Sequence, residues 1–284
     1  MSDEARWISV GELAQAFAPD NNTPRCTDEL AGTTLRLHLE NGQMVEHEFL
    51  TGTKLIWRML EGSGAGREAE ETYVANKVRD GIYFVDFLRH LERAATVSLV
   101  LDLHLGIVTV LVARLPERAE ARRPLADRVE SGQELTSVRA VFLAGAVNGR
   151  FTPDTPRHGP TTELIGRRVE YTYSATERYE HIYLNEDFYT WHCLLGSEKG
   201  LADTDRCHYH KLANDLHFFV WREKIVPTLG AVVVDFDLMR TVGKIFGYQG
   251  GDVENPVNFP VGAHARLLNV TRRDDGQPRE PELL

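Results

Sequence analysis

The chain has 284 residues, 42% of them hydrophobic and 26% charged, which is typical of a globular protein with one large or two smaller domains. Its net charge of −10 excludes a typical nucleic-acid partner, because proteins that bind the phosphate backbone carry a basic surface. The sequence lacks a run of about 18 apolar residues, so we expect no membrane partner. Three cysteines (Cys26, Cys193 and Cys207) are too few for a disulfide framework, and the polar N-terminus lacks the apolar stretch of a signal peptide. We therefore expect a cytoplasmic protein.

One short helix is predicted in the N-terminal segment, residues 1–29. Ser9 and Glu12 form a capping-box pattern ahead of an apolar run that includes Phe17, and Pro19 ends that run. We expect this helix to pack as a plug or lid against a larger unit.

Residues 30–151 alternate between short segments with strand character and turn residues such as Asn41-Gly42 and Asp80-Gly81. The charged segment Leu115–Thr136 is predicted to be irregular. The predicted strands are Thr33–Glu40, Val45–Leu50, Lys54–Leu60, Glu71–Val78, Ile82–Phe87, Val97–Leu103, Ile107–Arg114 and Val138–Val147. About eight antiparallel strands close a small barrel without leaving an edge.

The same pattern returns in residues 161–271. Gly166 matches Gly32, His181 matches His47 and Trp191 matches Trp57, each 134 positions later. Residues in register at this distance indicate an internal duplication, with a boundary in the proline-rich residues 152–161 and a flexible tail at 272–284. The sequence thus predicts an all-β protein of two tandem barrels. One interleaved β-sandwich is the alternative.

A candidate pocket lies in the second predicted barrel. Because side chains alternate between lumen and solvent, Tyr171 and Tyr173 of its first strand should point inward. On the fifth strand Phe219, Trp221 and Glu223 share one face. If that face is the lumen, Glu223 joins two tyrosines in an aromatic cavity, where desolvation would raise its pKa and make it a proton donor near neutral pH.

The matching positions of the first half are interpreted as apolar: Leu37, Leu39 and about Leu88. This difference favours a site in the second barrel. The alternative interpretation is that the tyrosines are core residues and Glu223 a solvated residue at a strand end.

Histidines and cysteines also cluster in the second half, which suggests a zinc or iron site. The cluster consists of His181, His192, Cys193, Cys207, His208, His210 and His217. No recognised ligand spacing occurs in it, so we predict no metal, and we expect these residues to be satisfied internally or exposed. Neither cysteine follows a glycine elbow or begins a helix, which disfavours a cysteine nucleophile, and Gly243–Gly251 opens no helix and so is no phosphate loop.

Five segments of the second half resemble the MoaF family, whose members are labelled molybdenum cofactor biosynthesis protein F. They are Tyr179–Asn185, Tyr189–Cys193, Gly200–Arg206, Val220–Pro227 and Gly243–Gly247. The resemblance covers both halves, essentially residues 30–270, and implies tandem calycin (lipocalin-like) barrels.

The second half also resembles, more distantly, the phenolic acid decarboxylases, which are single calycin barrels that act on hydroxycinnamates without a cofactor. Their first-strand tyrosine pair falls on Tyr171 and Tyr173, a third tyrosine on Tyr179, and their essential glutamate on Glu223. Their arginine falls on Leu201, which is a departure from the pattern. Lys199 and Arg206 are nearby cations, but neither is in register.

These observations lead to two functional hypotheses. The first is a cofactor-free lyase (decarboxylase-like) or isomerase for a small aromatic or phenolic acid, with Glu223, Tyr171 and Tyr173 catalytic. The other expected ligand contacts are Tyr179, Trp191, His192, Phe219 and Trp221. The second hypothesis is a non-catalytic binder that serves molybdenum-cofactor or aromatic-amine metabolism. The sequence leaves a homo-oligomer and the role of the first barrel open.

Overall fold

A computed structural model describes residues 6–18 and 21–272, and its sheets form two closed antiparallel barrels in tandem. The predicted flexible tail, apart from Arg272, lies outside the described residues, as does the predicted helix stop at Pro19. Each set of eight strands closes into its own ring, so the predicted tandem barrels are confirmed and the interleaved sandwich is excluded.

The first barrel contains strands β1 to β8 in chain order, and β1 pairs with β8 to close the ring. The strands are β1 Thr34–Leu39, β2 Met44–Phe49, β3 Lys54–Glu61, β4 Glu68–Arg79, β5 Ile82–Leu88, β6 Ala95–Asp102, β7 Ile107–Arg114 and β8 Arg139–Val147. Every neighbouring pair in the ring is antiparallel. Short turns connect most consecutive strands, whereas residues 115–138 connect β7 to β8.

The second barrel repeats this order, with β10 pairing with β17 and β12 pairing with β13. Its strands are β10 Arg167–Thr172, β11 Arg178–Tyr183, β12 Phe188–Leu195, β13 Ala202–Ala213, β14 Leu216–Arg222, β15 Leu229–Asp235, β16 Arg240–Tyr248 and β17 Pro256–Val270. The two-residue strand β9, Gly159–Pro160, extends the sheet beside β13.

The helices are short. Helix α1, Val10–Phe17, has the predicted capping box, in which Ser9 and Glu12 satisfy each other's backbone N–H groups. The charged segment that was predicted to be irregular instead contains α2, Arg118–Ala121, and α3, Leu125–Glu130. The prediction was wrong here because Pro124 immediately precedes α3, and proline is compatible with a helix start.

Two matched aspartates show how the duplicated sequence makes the same local structure. Asp102 ends β6 and accepts a hydrogen bond from the backbone N–H of Leu105 at 2.9 Å. Asp235 ends β15 and accepts one from Leu238 at the same distance. In both barrels the carboxylate therefore satisfies a backbone donor in the turn to the next strand.

The two barrels pack against each other through the outer faces of β5–β7 and β14–β16. Phe84 and Phe218 lie in this interbarrel core with ring centroids 6.2 Å apart. The buried Lys244 contacts Asp86 at 2.7 Å and donates a hydrogen bond to Thr96 at 2.6 Å. The contact is thus a buried apolar surface that includes a hydrogen-bonded ion pair.

Helix α1 precedes the first barrel in the chain but packs on the second. Ser9 Oγ donates a hydrogen bond to the carbonyl of Gln249 at 3.0 Å, and the ring of Phe17 stacks on Tyr173 at 4.8 Å. A Cβ added to Gly247 would lie 2.2 Å from Val10, so the helix approaches β16 at a distance that only glycine permits.

The segment after α1 then returns to the first barrel. The backbone N–H of Asn22 donates to the carbonyl of Tyr173 at 2.7 Å, and that of Thr27 donates to the carbonyl of Ala75 at 2.9 Å. The N-terminal segment therefore contacts both barrels and caps the second one.

Candidate functional site

A cavity lies in the second barrel beneath α1. Its walls combine aromatic rings with a few polar groups, as is usual for small-molecule sites. The lining residues are Ile8, Val10, Leu13, Phe17, Tyr173, Tyr179, His181, Tyr189, Trp191, Glu198, Trp221, Glu223, Val226, Thr228 and Ile245. The predicted plug helix thus supplies one wall, through Val10, Leu13 and Phe17.

Glu223 directs its carboxyl group into this cavity from the end of β14. The indole Nε1 of Trp221 donates a hydrogen bond to its Oε1 at 2.9 Å. Burial, reinforced by the negative charges of Asp205 and Glu198, raises the pKa of Glu223 well above its ordinary value. These effects favour the protonated form of the carboxyl group, which can donate a proton.

Glu198 is a second carboxyl group in the same cavity, and the sequence analysis missed it. It lies in the turn between β12 and β13, and the hydroxyl of Tyr179 donates a hydrogen bond to its Oε2 at 3.2 Å. Burial raises its pKa to about 7, and the hydrogen bond from Tyr179 opposes that shift. No alternation pattern could have identified Glu198, because it is in a turn.

The two predicted catalytic tyrosines occupy different environments. Tyr173 lines the cavity, where burial raises its pKa. Tyr171 is equally inward-facing but does not line the cavity, because its hydroxyl contacts that of Tyr183 at 2.6 Å within the aromatic core. Tyr171 is therefore placed as a core residue that supports the site rather than contacting its contents.

His181 lines the cavity, whereas the sequence analysis placed it only in the histidine cluster. Its ring is 4.8 Å from Tyr171 and 5.6 Å from Trp221, and its buried Nδ1 has no hydrogen-bond partner among the described residues. Burial lowers its pKa to about 3, so it is neutral at pH 7. The orphaned nitrogen can accept a hydrogen bond from, or donate one to, a molecule in the cavity.

Of the other predicted ligand contacts, Trp191, Trp221 and Tyr179 line the cavity. His192 does not, and the expectation is corrected: it lies on the outside of the barrel, with Nδ1 2.9 Å from Glu180. Alternation explains this, because the neighbouring Trp191 faces inward. Phe219 faces inward but packs in the core between other aromatic rings and does not reach the cavity.

The remaining histidines of the cluster point away from the cavity. His208 and His210 face Phe142 of the first barrel, with ring centroids 5.0 and 4.7 Å away. His217 is buried and contacts Glu163 at 2.8 Å. Within residues 6–18 and 21–272, no three histidine, cysteine or acidic side chains converge in a way that could hold a metal ion.

The cavity is acidic rather than basic. None of the described residues that line it is a lysine or an arginine. Leu201, where the decarboxylase resemblance would place an arginine, packs against the apolar core. Lys199 is exposed, and Arg206 pairs with Glu134 and Asp187 outside the barrel.

The position of the first barrel that matches Glu223 is Arg89, not Leu88. Along β5, Val85 and Phe87 belong to the core inside the barrel, as Phe219 and Trp221 do in β14, 134 residues later. Leu88 packs instead against the interbarrel core. The expectation of apolar matching positions was therefore wrong at this position, since the sequence alignment slipped by one residue and so reversed the face.

Comparison with known proteins finds one family model in each half of the chain. Residues 5–117 match the family model described as the MoaF N-terminal domain, and residues 158–271 match the MoaF C-terminal domain. A curated relative, "Protein MoaF" from Klebsiella aerogenes, is 42% identical over 275 residues, which cover 97% of this chain and 100% of the relative. The chain belongs to the MoaF family.

A solved structure from Burkholderia vietnamiensis, provisionally described as a beta-lactamase, covers 44% of this chain and 98% of its own. It is 17% identical with a TM-score of 0.32. That likeness carries no argument about function.

Proposed function

We propose that the second barrel binds a small aromatic molecule and that Glu223 transfers a proton to or from it, as in a cofactor-free lyase or isomerase. The observation that carries this proposal is the pair of carboxyl groups, Glu223 and Glu198, that face one aromatic-walled cavity. Burial raises the pKa of both, so each can hold a proton near neutral pH.

The geometry assigns different tasks to the polar groups. The rings of Trp191 and Trp221 offer flat surfaces on which an aromatic ligand would stack. Tyr173 and the orphaned Nδ1 of His181 offer hydrogen bonds that would orient it. Helix α1 covers the cavity, so it would exclude water during proton transfer.

The reaction balances in either class. In an isomerase, Glu223 would donate a proton to one substrate carbon, the ionised form of Glu198 would accept one from another, and proton exchange with solvent would return both carboxyl groups to their starting forms. In a lyase, Glu223 would protonate the carbon from which CO₂ leaves, the electron pair of the broken bond would restore the double bond, and a proton from solvent would restore Glu223. None of the described lining residues is a lysine or an arginine, which favours substrates without a carboxylate and therefore the isomerase class.

A second candidate is a binder of an aromatic amine, which the acidic lining favours. An ammonium group would be attracted to the faces of Trp191 and Trp221 and would stabilise the ionised form of Glu223. Binding would then release a proton from Glu223 rather than lead to turnover.

A matched series of phenols separates these candidates. Tyramine, 4-ethylphenol and 3-(4-hydroxyphenyl)propionate share one ring and differ in the charge of the side chain. Tryptophan fluorescence would report binding to wild type, Glu223→Gln and Glu198→Gln, and absorbance would report turnover of hydroxycinnamates and of neutral alkenyl phenols. Turnover that is lost in Glu223→Gln while binding persists supports the enzyme.

Preferential binding of tyramine without turnover, weakened in Glu223→Gln, supports the amine binder. If none of the phenols binds, the aromatic-ligand proposal fails.

Among the described residues, the helices are too short and too polar to span a membrane. The three cysteines form no disulfide, and a cytoplasmic location remains part of this proposal.

A further inference from the structure

The first barrel also encloses a cavity. Its walls are mainly aliphatic. The lining residues are Leu37, Leu39, Gln43, Val45, His47, Trp57, Met59, Phe87, Arg89, Val97, Leu99, Val110, Val112 and Leu143. Apolar walls with a few polar groups are the usual character of small-ligand sites.

His47 is a polar group in the wall of this cavity. It is 4% exposed, and its buried Nδ1 has no hydrogen-bond partner among the described residues. Burial, and secondarily the positive charge of Arg89, lower its pKa to about 4. A neutral imidazole with an orphaned nitrogen inside an apolar cavity indicates that a polar atom of a ligand can complete its hydrogen bonding.

Arg89 is the cationic group of this cavity. Its guanidinium lies over the ring of Trp57, 4.4 Å from the centroid, and contacts Glu92 at 2.9 Å. Its side chain is only 14% exposed. A guanidinium is the side-chain group whose geometry suits two parallel hydrogen bonds to a carboxylate.

Three arginines surround one carboxylate beside this cavity. Arg67 and Arg114 also contact Glu92, at 3.3 and 2.7 Å. Glu71 also acts on Arg89, but it contacts His90 at 2.8 Å. The excess of positive charge around Glu92 would attract the carboxylate of a ligand.

The two cavities therefore differ in sign at equivalent positions. Arg89 stands where the second cavity has Glu223, at the 134-residue spacing of the duplication. The second cavity contains buried acids and no lysine or arginine among its described lining residues, whereas the first contains Arg89 and no acid. The same scaffold thus presents two chemically opposite pockets.

We propose that the first barrel is a separate binding site for a monocarboxylate with an unbranched aliphatic body. The carboxylate binds Arg89 in competition with Glu92, and the body lies along the leucine and valine walls, among them Leu99 and Val110. This inference concerns the other barrel and does not depend on the function proposed for the second cavity.

Decanoate, decanol and decylamine form a matched probe set with the same body and different charge. Trp57 is the one tryptophan between residues 30 and 151. A change in tryptophan fluorescence on adding a probe therefore reports this cavity if it persists in Trp191→Phe and disappears in Trp57→Phe. Decanoate is expected to bind wild type at least tenfold more tightly than decanol, since a charge-assisted pair adds more than one neutral hydrogen bond. Its affinity should fall with added salt.

Arg89→Gln should weaken decanoate binding at least tenfold and leave decanol unchanged. Arg36→Gln is the control, because Arg36 is an exposed arginine of the same barrel that pairs with Glu46 on the outer surface. Melting temperatures check that both variants fold. If Arg89→Gln does not fold, the comparison of the three probes on wild type decides alone.

Equal affinity for decanoate and decanol would overturn the proposal, as would a signal that survives in Trp57→Phe. Absence of decanoate binding to wild type would overturn it as well. None of these results bears on binding of phenols to the second barrel, so the two proposals fail separately.

Discussion

Arg89 and Glu223 occupy the same position in two copies of one barrel, 134 residues apart, and carry opposite chemistry. Each follows a strand whose inward residues pack in its own core. Arg89 stacks on Trp57, and Glu223 accepts a hydrogen bond from Trp221. This exchange is one part of the difference between the two cavities, and Glu198 and the lining tyrosines of the second cavity are another.

Around this difference, a structural unit is kept in both barrels. Trp191 donates a hydrogen bond to Asp205 at 3.0 Å, and Lys224 also contacts Asp205. Trp57, Glu71 and His90 repeat this arrangement 134 residues earlier, with the indole N–H 3.3 Å from Glu71. Because the unit recurs in cavities of opposite charge, we assign it to the positioning of the tryptophan.

Replacing Glu198 with Gln should change how stability depends on pH. Burial raises the pKa of Glu198 from 4.5 to about 7, so the folded state binds more protons than the unfolded state in that interval. Stability of wild type is therefore lost as pH rises from about 4.5 to about 7, by roughly 3 kcal/mol from this group. The variant should lack this loss.

Urea unfolding of both proteins at pH 5, 6, 7 and 8 measures the effect as a difference, which removes the contributions of the other titrating groups. We expect the variant to gain stability relative to wild type with rising pH. A difference that is constant from pH 5 to pH 8 would contradict the raised pKa.

Replacing Lys244 with Met should destabilise the contact between the barrels by roughly 3–5 kcal/mol, because it leaves Asp86 charged and uncompensated in a buried environment. The matched control is Lys211→Met, which removes an exposed pair with Glu163 and should cost about 0–1 kcal/mol. Equilibrium unfolding in urea measures both. Equal losses of unfolding free energy in the two variants would show that the buried pair stabilises the protein no more than the exposed pair.

Helix α1 can be displaced by a substitution at Gly247, which does not itself line the cavity. A Cβ at Gly247 would lie 2.2 Å from Val10, so Gly247→Ala should push the helix outward and cost about 1–3 kcal/mol. Acrylamide should then quench Trp191 and Trp221 more strongly. Gly250→Ala is the control, since its added Cβ would meet nothing closer than 3.9 Å.

The two tyrosines that were predicted as a pair should behave differently. Tyr171→Phe leaves the buried hydroxyl of Tyr183 without its partner and should cost about 1–3 kcal/mol of stability, with little change in phenol affinity. Tyr173→Phe removes a hydroxyl that faces the cavity, so it should weaken phenol binding about fivefold with a smaller effect on stability. Calorimetric melting and titration with tyramine test both. Similar losses of tyramine affinity in the two variants would show that Tyr171 contacts the ligand, as the sequence predicted for a catalytic residue.

The sequence alone determined the repeated architecture of this protein. Turn residues such as Asn41-Gly42 reflect local geometry, as do the matched pairs Trp57 with Trp191, 134 positions apart, and Asp102 with Asp235, 133 apart. Two barrels of eight strands could therefore be inferred without coordinates. Alternation along single strands also gave the inward faces of β10 and β14 correctly, because the side-chain period of a strand is two.

Only the tertiary structure decided what each cavity contains. Glu198 comes from a turn, where no alternation applies, and α1 packs on the second barrel although it precedes the first barrel in the chain. Whether Tyr171 contacts a ligand or another tyrosine depends on its position along the barrel axis. Alternation along a strand predicts only whether a side chain faces inward or outward. A one-residue shift in aligning β5 with β14 was enough to hide Arg89, because each step along a strand reverses the face.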